Sequence, residues 1–465
     1  MKVAFNRINI TSKDYLGKPL AGYSRKDSCQ GKLDDIHAYG VLISNNNGEG
    51  EETYFLLISV DILKLPLSIV VYIKSKLSSK FSGLKSDNIL LHATHSHASF
   101  DLTGEFYYTG GALAFIKGVM FADNKSDKYI VWMANRIVNL TEKLFKVLEP
   151  CRFAWKKEKF NPGLVLNRRW PTKEIFPELG VISFNRLNEN RRIGIIINYA
   201  CHPTTLSHKN SKLSADYPGA IIKRIDKLTN NKVDALYFNG PSGDLNPITT
   251  SGDNFEKING DKSLTYDQLG TYEHTKKIGA LIADEAIKLA NTIPEKDYHN
   301  AIEILSHKTK LYIPKKDVKY FSKVWFSNKL KWVFKKYFLM KIAKFDKKSV
   351  NFPFFTEEKK QFRKYAKTFI QYIEIVTEHR EKLGIITIPG ELFEGIGTKL
   401  IKESPSSEKN TFIIQNCQDW VGYLFSLDTY ITEGGYEPFM CYSPLCGVYI
   451  EAATRNLFKK VKRKV

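Results

Sequence analysis

Asn88-Ile-Leu-Leu-His-Ala-Thr-His-Ser-His-Ala-Ser99 is the stretch on which the reading of this chain turns. Ile89, Leu90 and Leu91 form a short apolar run that leads into His92, His95 and His97, as in a buried strand that delivers imidazoles to its C-terminal end. Strand side chains alternate between faces, so an extended backbone here points His95 and His97 one way and His92 the other. Two imidazoles on one face can share a cation, or one can bind metal while its neighbour holds substrate. An isolated His-x-His is more often a polar strand end, and only ligands elsewhere in the chain raise it above that.

Two further apolar runs end in the same manner. Ile193-Gly-Ile-Ile-Ile197 is hydrophobic throughout, as a strand covered on both faces would be, and leads through Asn198-Tyr-Ala-Cys to His202. Gly384-Ile-Ile-Thr-Ile388 leads through Pro389-Gly to Glu391. His95, His202 and Glu391 thus stand at strand C-termini, where α/β proteins build their sites. Two histidines and a carboxylate with one open position suit a catalytic zinc. The metallo-hydrolase pattern HxHxDH fails, since Ser99 and Phe100 stand where its Asp and His belong.

The remaining elements predict an α/β protein with a mixed β-sheet core, flanking helices and a metal site at strand ends. Strands are expected at 3–10, 37–44, 54–60, 180–184, 192–199 and 235–238, with an Asn/Gly-rich turn at 45–50. Helices are expected at 66–77, 129–148, 219–228 and 276–290. Past Tyr365 the pattern reads as a helix, and 457–465 as a basic tail. The whole of 1–465 is expected to be one catalytic domain with a basic, aromatic helical insertion at about 310–365.

At 465 residues the chain can bury a large core, and 43% hydrophobic with 13% aromatic residues excludes wholesale disorder. The formal net charge of +21 points to anionic surroundings. Between Lys315 and Lys348, twelve lysines against Asp317 and Asp346 leave a net +10. Lys315, Lys319, Lys323, Lys331 and Lys335 fall at multiples of four, with Phe321, Trp325 and Trp332 between them. Such a helix can lie on an anionic membrane, lid an apolar pocket, or pack its aromatics on the core. No nucleic-acid-reading module accompanies the charge, so nucleic acid is not expected as a partner. The six cysteines show neither CxxC pairs nor secreted-framework spacing, which predicts free thiols in a reducing compartment. No signal peptide is visible, and Asp61, Lys64 and Pro66 interrupt the apolar stretch at 54–73. The expectation is a soluble, cytoplasmic protein, peripheral at a membrane if the basic segment binds lipid.

Six short motifs occur in an order that resembles the catalytic domain of the neutral/alkaline (non-lysosomal) ceramidase family. They are Thr94-His-Ser-His-Ala98, Ala200-Cys-His-Pro-Thr204, Ser214-Ala-Asp-Tyr-Pro-Gly219, Gly243-Asp-Leu-Asn-Pro247, Ile388-Pro-Gly-Glu391 and Gly434-Gly-Tyr-Glu437. The likeness runs from the N-terminal strand to about Glu437, nearly the whole chain. It implies cleavage of an N-acyl amide, as in N-acylsphingosine, by zinc-activated water. By the same resemblance His95, His202 and Glu391 are zinc ligands, and Tyr423, after Gly422, is the fourth. His97 then meets the substrate amide, Tyr436 is a substrate-contacting tyrosine, and Arg168, in Leu166-Asn-Arg-Arg-Trp170, helps hold the substrate oxygen. Asp216 and Asp244 are candidates to orient the ligand histidines, or else turn and cap formers.

Two departures shape the expected chemistry. Asn246 stands where the family's Gly-Asp-x-Ser-Pro element has serine, which argues against a serine nucleophile there. The export signal and C-terminal immunoglobulin-like domain of well-known ceramidases are not seen, which widens the expected substrate to N-acylated small molecules and lipids generally. Two other readings stay open: a related hydrolase of a different amide or ester such as an N-acyl sugar, and a non-catalytic protein that binds anionic membrane.

Overall fold

The computed structural model describes residues 1–46, 52–110, 114, 117–118, 126–171, 173–189, 191–250, 270–314, 365–429, 437 and 440–463. The turn at 47–50, Tyr436 and the lysine-rich 315–348 segment lie outside the described residues.

Aliphatic and aromatic runs, which favour extended backbone where they can pack on both faces, form eight strands of one sheet. These are β1 (Lys2–Asn9), β2 (His37–Asn46), β3 (Glu52–Val60), β4 (Ile89–Ala93), β5 (Glu149–Lys159), β6 (Glu178–Arg186), β7 (Arg192–Tyr199) and β8 (Asp234–Asn239). Their order is β8-β7-β6-β5-β1-β2-β3-β4. Inner neighbours pair antiparallel, whereas the two edge strands, β4 on β3 and β8 on β7, join in parallel. A parallel neighbour needs a crossover connection. Helix α1 (Leu67–Lys80) supplies it between β3 and β4. After α2 (Asp127–Lys146), helix α3 (Asp216–Thr229) supplies it between β7 and β8. Ile130, Met133, Ala134, Ile137, Leu140 and Leu144 bury one helical stripe of α2 against the sheet, and α4 (Tyr272–Asn291) packs beside α3.

A second, four-stranded sheet holds β9 (Ala301–Pro314), β10 (Tyr365–Thr377), β11 (Lys382–Thr387) and, beyond the two-residue β12 (Glu391–Leu392) and helix α5 (Glu394–Glu403), β13 (Thr411–Ile414). The chain after β13 runs between the two edges of the first sheet. Gln415 donates its N–H to Asn239 O (3.0 Å), Ala93 N–H reaches Asn416 O (3.1 Å), and Cys417 bridges His92. The edges also touch directly. His92 Nε2 lies 3.0 Å from Asn239 Oδ1, and Ser59 Oγ meets both His92 Nδ1 and Tyr237 O at 2.9 Å. This buried seam brings the C-terminal ends of β4 and β8 together, and β11 with them.

Three expectations are corrected. The segment after Tyr365 is the strand β10, not a helix. Phe369, Ile370, Tyr372, Ile373, Ile375 and Val376 are poor in helix preference; all six pair in register with β9, and the last four also with β11. The basic C-terminus is the end of a core helix, α6 (Cys446–Lys462), which buries Ile450, Thr454, Leu457, Phe458 and Val461. Strands β5 and β9 were not foreseen, because charged residues interrupt their alternation (Lys156, Lys157, Glu158; Lys308, Lys310). Among the described residues no helix is long and apolar enough to cross a membrane.

Candidate active site

Strand β4 stops at Ala93, so His95 and His97 sit in the loop beyond it and do not share a strand face as expected. His95 takes a left-handed backbone (φ 70°), unusual for a residue with a Cβ and held here by its surroundings. Its N–H donates to Ile62 O (2.9 Å) and its Nδ1 lies 2.6 Å from Leu63 O. His92, the histidine that does lie on the strand, belongs to the seam. Burial pushes its pKa down to about 3.

His202 follows β7 and places Nδ1 3.0 Å from Ser242 O in the loop after β8. A carbonyl can only accept, so Nδ1 of both His95 and His202 is the donor and Nε2 is the atom turned into the cluster. Those two Nε2 atoms lie 3.3 and 3.4 Å from one oxygen, Oε2 of Glu391. The ring centroids of His95, His97 and His202 are 4.7–5.3 Å apart. The structure therefore gathers His95, His97, His202 and Glu391 from three strand ends into one buried cluster.

Glu391 opens β12, which pairs in parallel with β14 (Tyr423–Leu424), so Glu391 faces Tyr423 directly in register. The Trp420 indole N–H donates to Glu391 Oε1 (3.0 Å), while Oε2 has no hydrogen-bond partner. Burial would raise the Glu391 carboxyl, but His95, His202 and Arg168 outweigh it and hold it at about 2. Burial, with the neighbouring His95 and Arg168, keeps His202 at about 3.

Two imidazole nitrogens and a carboxylate oxygen thus converge, an arrangement that a cation satisfies. Ligands at about 2.0–2.1 Å from a tetrahedral zinc lie about 3.3–3.4 Å from each other, so the observed Nε2–Oε2 spacings fit such an ion. His95, His202 and Glu391 could hold it, with Tyr423 alongside.

His97 is different. Both its ring nitrogens are buried without a hydrogen-bond partner, and burial, followed by His95, His202 and nearby arginines, keeps its pKa well below 6.5. The ring packs on Tyr23 (4.8 Å) and directly on Gly22, whose Cβ, were there one, would come within 2.4 Å of His97 Cγ. Arg168 lies over the Tyr423 ring (5.0 Å) and bonds Asn246 and Glu437. Tyr436 falls outside the described residues.

Asp216 and Asp244 do not orient the histidines, since backbone carbonyls fill that role. Asp216 receives the N–H groups of Thr205, Leu206 and Tyr217 and so ties the loop after His202 to α3. Asp244 receives Asn167 Nδ2 (2.8 Å) and Glu394 N–H (2.8 Å). Sequence reading missed Trp420 and Arg25. The Arg25 guanidinium, fully enclosed, donates to His97 O (2.6 Å) and to Ala21 and Asn210 carbonyls. The short spacing of Trp420 from Gly422-Tyr423 was the one available signal.

This architecture is the neutral ceramidase fold. Solved structures that carry it include neutral ceramidase from Pseudomonas aeruginosa and a ceramidase complexed with C2. Each has a TM-score of 0.72 and 14% identity, and each alignment covers 100% of this chain and 75% of the other. At that identity the likeness establishes the fold. No family model matches the sequence, and no curated protein matches it.

Proposed function

We propose that this chain is a zinc-dependent amidohydrolase that cleaves an N-acyl amide bond in ceramide or a similar N-acylated amine. One observation carries most of the reading. A buried carboxylate oxygen without a hydrogen-bond partner stands 3.3 and 3.4 Å from two imidazole nitrogens whose other nitrogens are fixed by carbonyls. The fold shared with proteins described as ceramidases supports the substrate class.

Zinc held by His95, His202, Glu391 and Tyr423 would polarise an amide carbonyl and acidify a water. The other groups belong to the chain. His97, neutral and without a protein partner for either nitrogen, can donate to or accept from the substrate amide. Arg168 offers a fixed positive charge to oppose the negative charge that develops on the carbonyl oxygen. Trp420 fixes the orientation of Glu391 through Oε1. Asn246 offers no hydroxyl nucleophile and instead bonds Arg168 (3.3 Å), which favours direct attack by water.

The test joins metal analysis to turnover of short- and long-chain ceramides, read as fatty acid released. We expect stoichiometric zinc, lost with the activity in Glu391→Gln. Full activity in chelator-stripped protein would overturn the proposal. Retained zinc with inertness toward every ceramide would move the substrate to another amide or ester, such as an N-acyl sugar.

A further inference from the structure

A second group of side chains able to ligate a metal lies at the opposite end of β11 from Glu391. His299, Glu378 and His379 present ligand atoms within 4.8 Å of one another. Glu378 and His379 belong to the turn between β10 and β11, and His299 precedes β9. Between this turn and Glu391 lies the whole of the six-residue β11, roughly 20 Å at about 3.3 Å per residue, so the cluster is not part of the candidate active site.

His299 is the anchor. Its backbone exchanges hydrogen bonds with Phe153 of β5 (2.7 and 2.9 Å), and its ring packs on Trp155. The residue is only 8% exposed, yet Nδ1 is buried without a hydrogen-bond partner, while Nε2 lies 3.8 Å from Glu381 Oε2. An unsatisfied buried ring nitrogen is costly unless something completes it. The His379 ring stands 5.6 Å away at 77°.

The turn is firmly built. Thr377 N–H meets Glu381 O (2.9 Å), Arg380 N–H meets Thr377 O (2.9 Å), and Arg380 reverses the chain at φ 64°. Glu378 Oε2 accepts Asn300 N–H (2.7 Å), which docks the turn beside His299 and leaves Oε1 available. Formal charge within the turn is negative, Glu378 and Glu381 against Arg380.

We propose that His299, His379 and Glu378, with Glu381 within reach, form a second divalent transition-metal site that staples the β10–β11 turn to β5. Two imidazoles with carboxylates favour zinc, cobalt or nickel over magnesium and calcium. Exposed Glu378 and His379 can close the remaining distance by rotamer changes, while buried His299 stays fixed. The site joins the two sheets at the end remote from the candidate active site.

The test compares full-length wild type with His379→Ala and Glu378→Gln, both altered only at the exposed turn. Each protein, stripped of metal, is titrated with Co2+ and followed by visible d–d absorption. We expect the turn variants to lose one equivalent relative to wild type, or to bind it at least about 10-fold more weakly. Zinc should raise the melting midpoint of wild type more than that of the variants, with amide hydrolysis unchanged. Equal cobalt equivalents and affinities in all three proteins would overturn the proposal. The comparison is a difference at the turn, so it stands whether or not the active-site cluster binds metal, and Glu391→Gln reports on that cluster separately.

Discussion

His95 spends a left-handed backbone to turn Nε2 toward Glu391, and a carbonyl rather than a carboxylate holds its other nitrogen. The sequence showed the histidines but not this device, because an extended strand and a loop give His-x-His the same spelling. Gly22 shows how tightly the neighbouring ring is placed, with a positive φ of 90° and no room for a Cβ beside His97. Gly22→Ala should displace that imidazole and lower kcat/KM by about 100-fold with metal content unchanged. Loss of metal along with activity would show that the ring is not the element displaced. Trp420→Phe removes the N–H held by Glu391 Oε1 and should weaken metal binding by about 10–100-fold in chelator competition. An unaltered affinity would leave the indole as packing alone.

Among elements, each ligand follows a buried strand, and the strand fixes where the loop begins. Between β3 and α1, Asp61 is wholly buried and receives His37 N–H and the Thr94 hydroxyl, next to His95. Burial, with the charge of Asp34, pushes its pKa up to about 8 from 3.8. The folded state therefore holds this proton more tightly than the unfolded chain. The contribution is complete below about pH 4 and is lost as pH rises through 8. In urea melts, the stability of wild type relative to Asp61→Asn should fall from pH 5 to 8 and level off above, and a flat difference across pH 5 to 8 would refute the assigned shift. The strand β10 was misread at this scale. Its aromatic and β-branched residues carried the signal, but its partner β9 comes some sixty residues earlier in the chain, and pairing decides between strand and helix for such a run.

For the whole molecule, the informative feature is the seam at which the first sheet's edges meet and the second sheet's chain is threaded between them. His92, Asn239 and Ser59 are buried polar groups satisfied only by one another and by adjacent backbone, so the seam closes in one register. The net charge of +21 is also a property of this scale. Flotation with anionic liposomes should weaken when the lysines of 315–348 become glutamine, and more so at low salt, where such contacts are strongest. Binding unchanged by those substitutions would place the membrane contact elsewhere or remove it. By itself the sequence determined that three apolar strands end in His95, His202 and Glu391, because hydrophobic periodicity and ligand chemistry are local. Only the tertiary structure decided that those ends share one oxygen, that Trp420 and Arg25 support them, and that His92 does not. Convergence depends on contacts between residues more than a hundred positions apart, which no local pattern encodes.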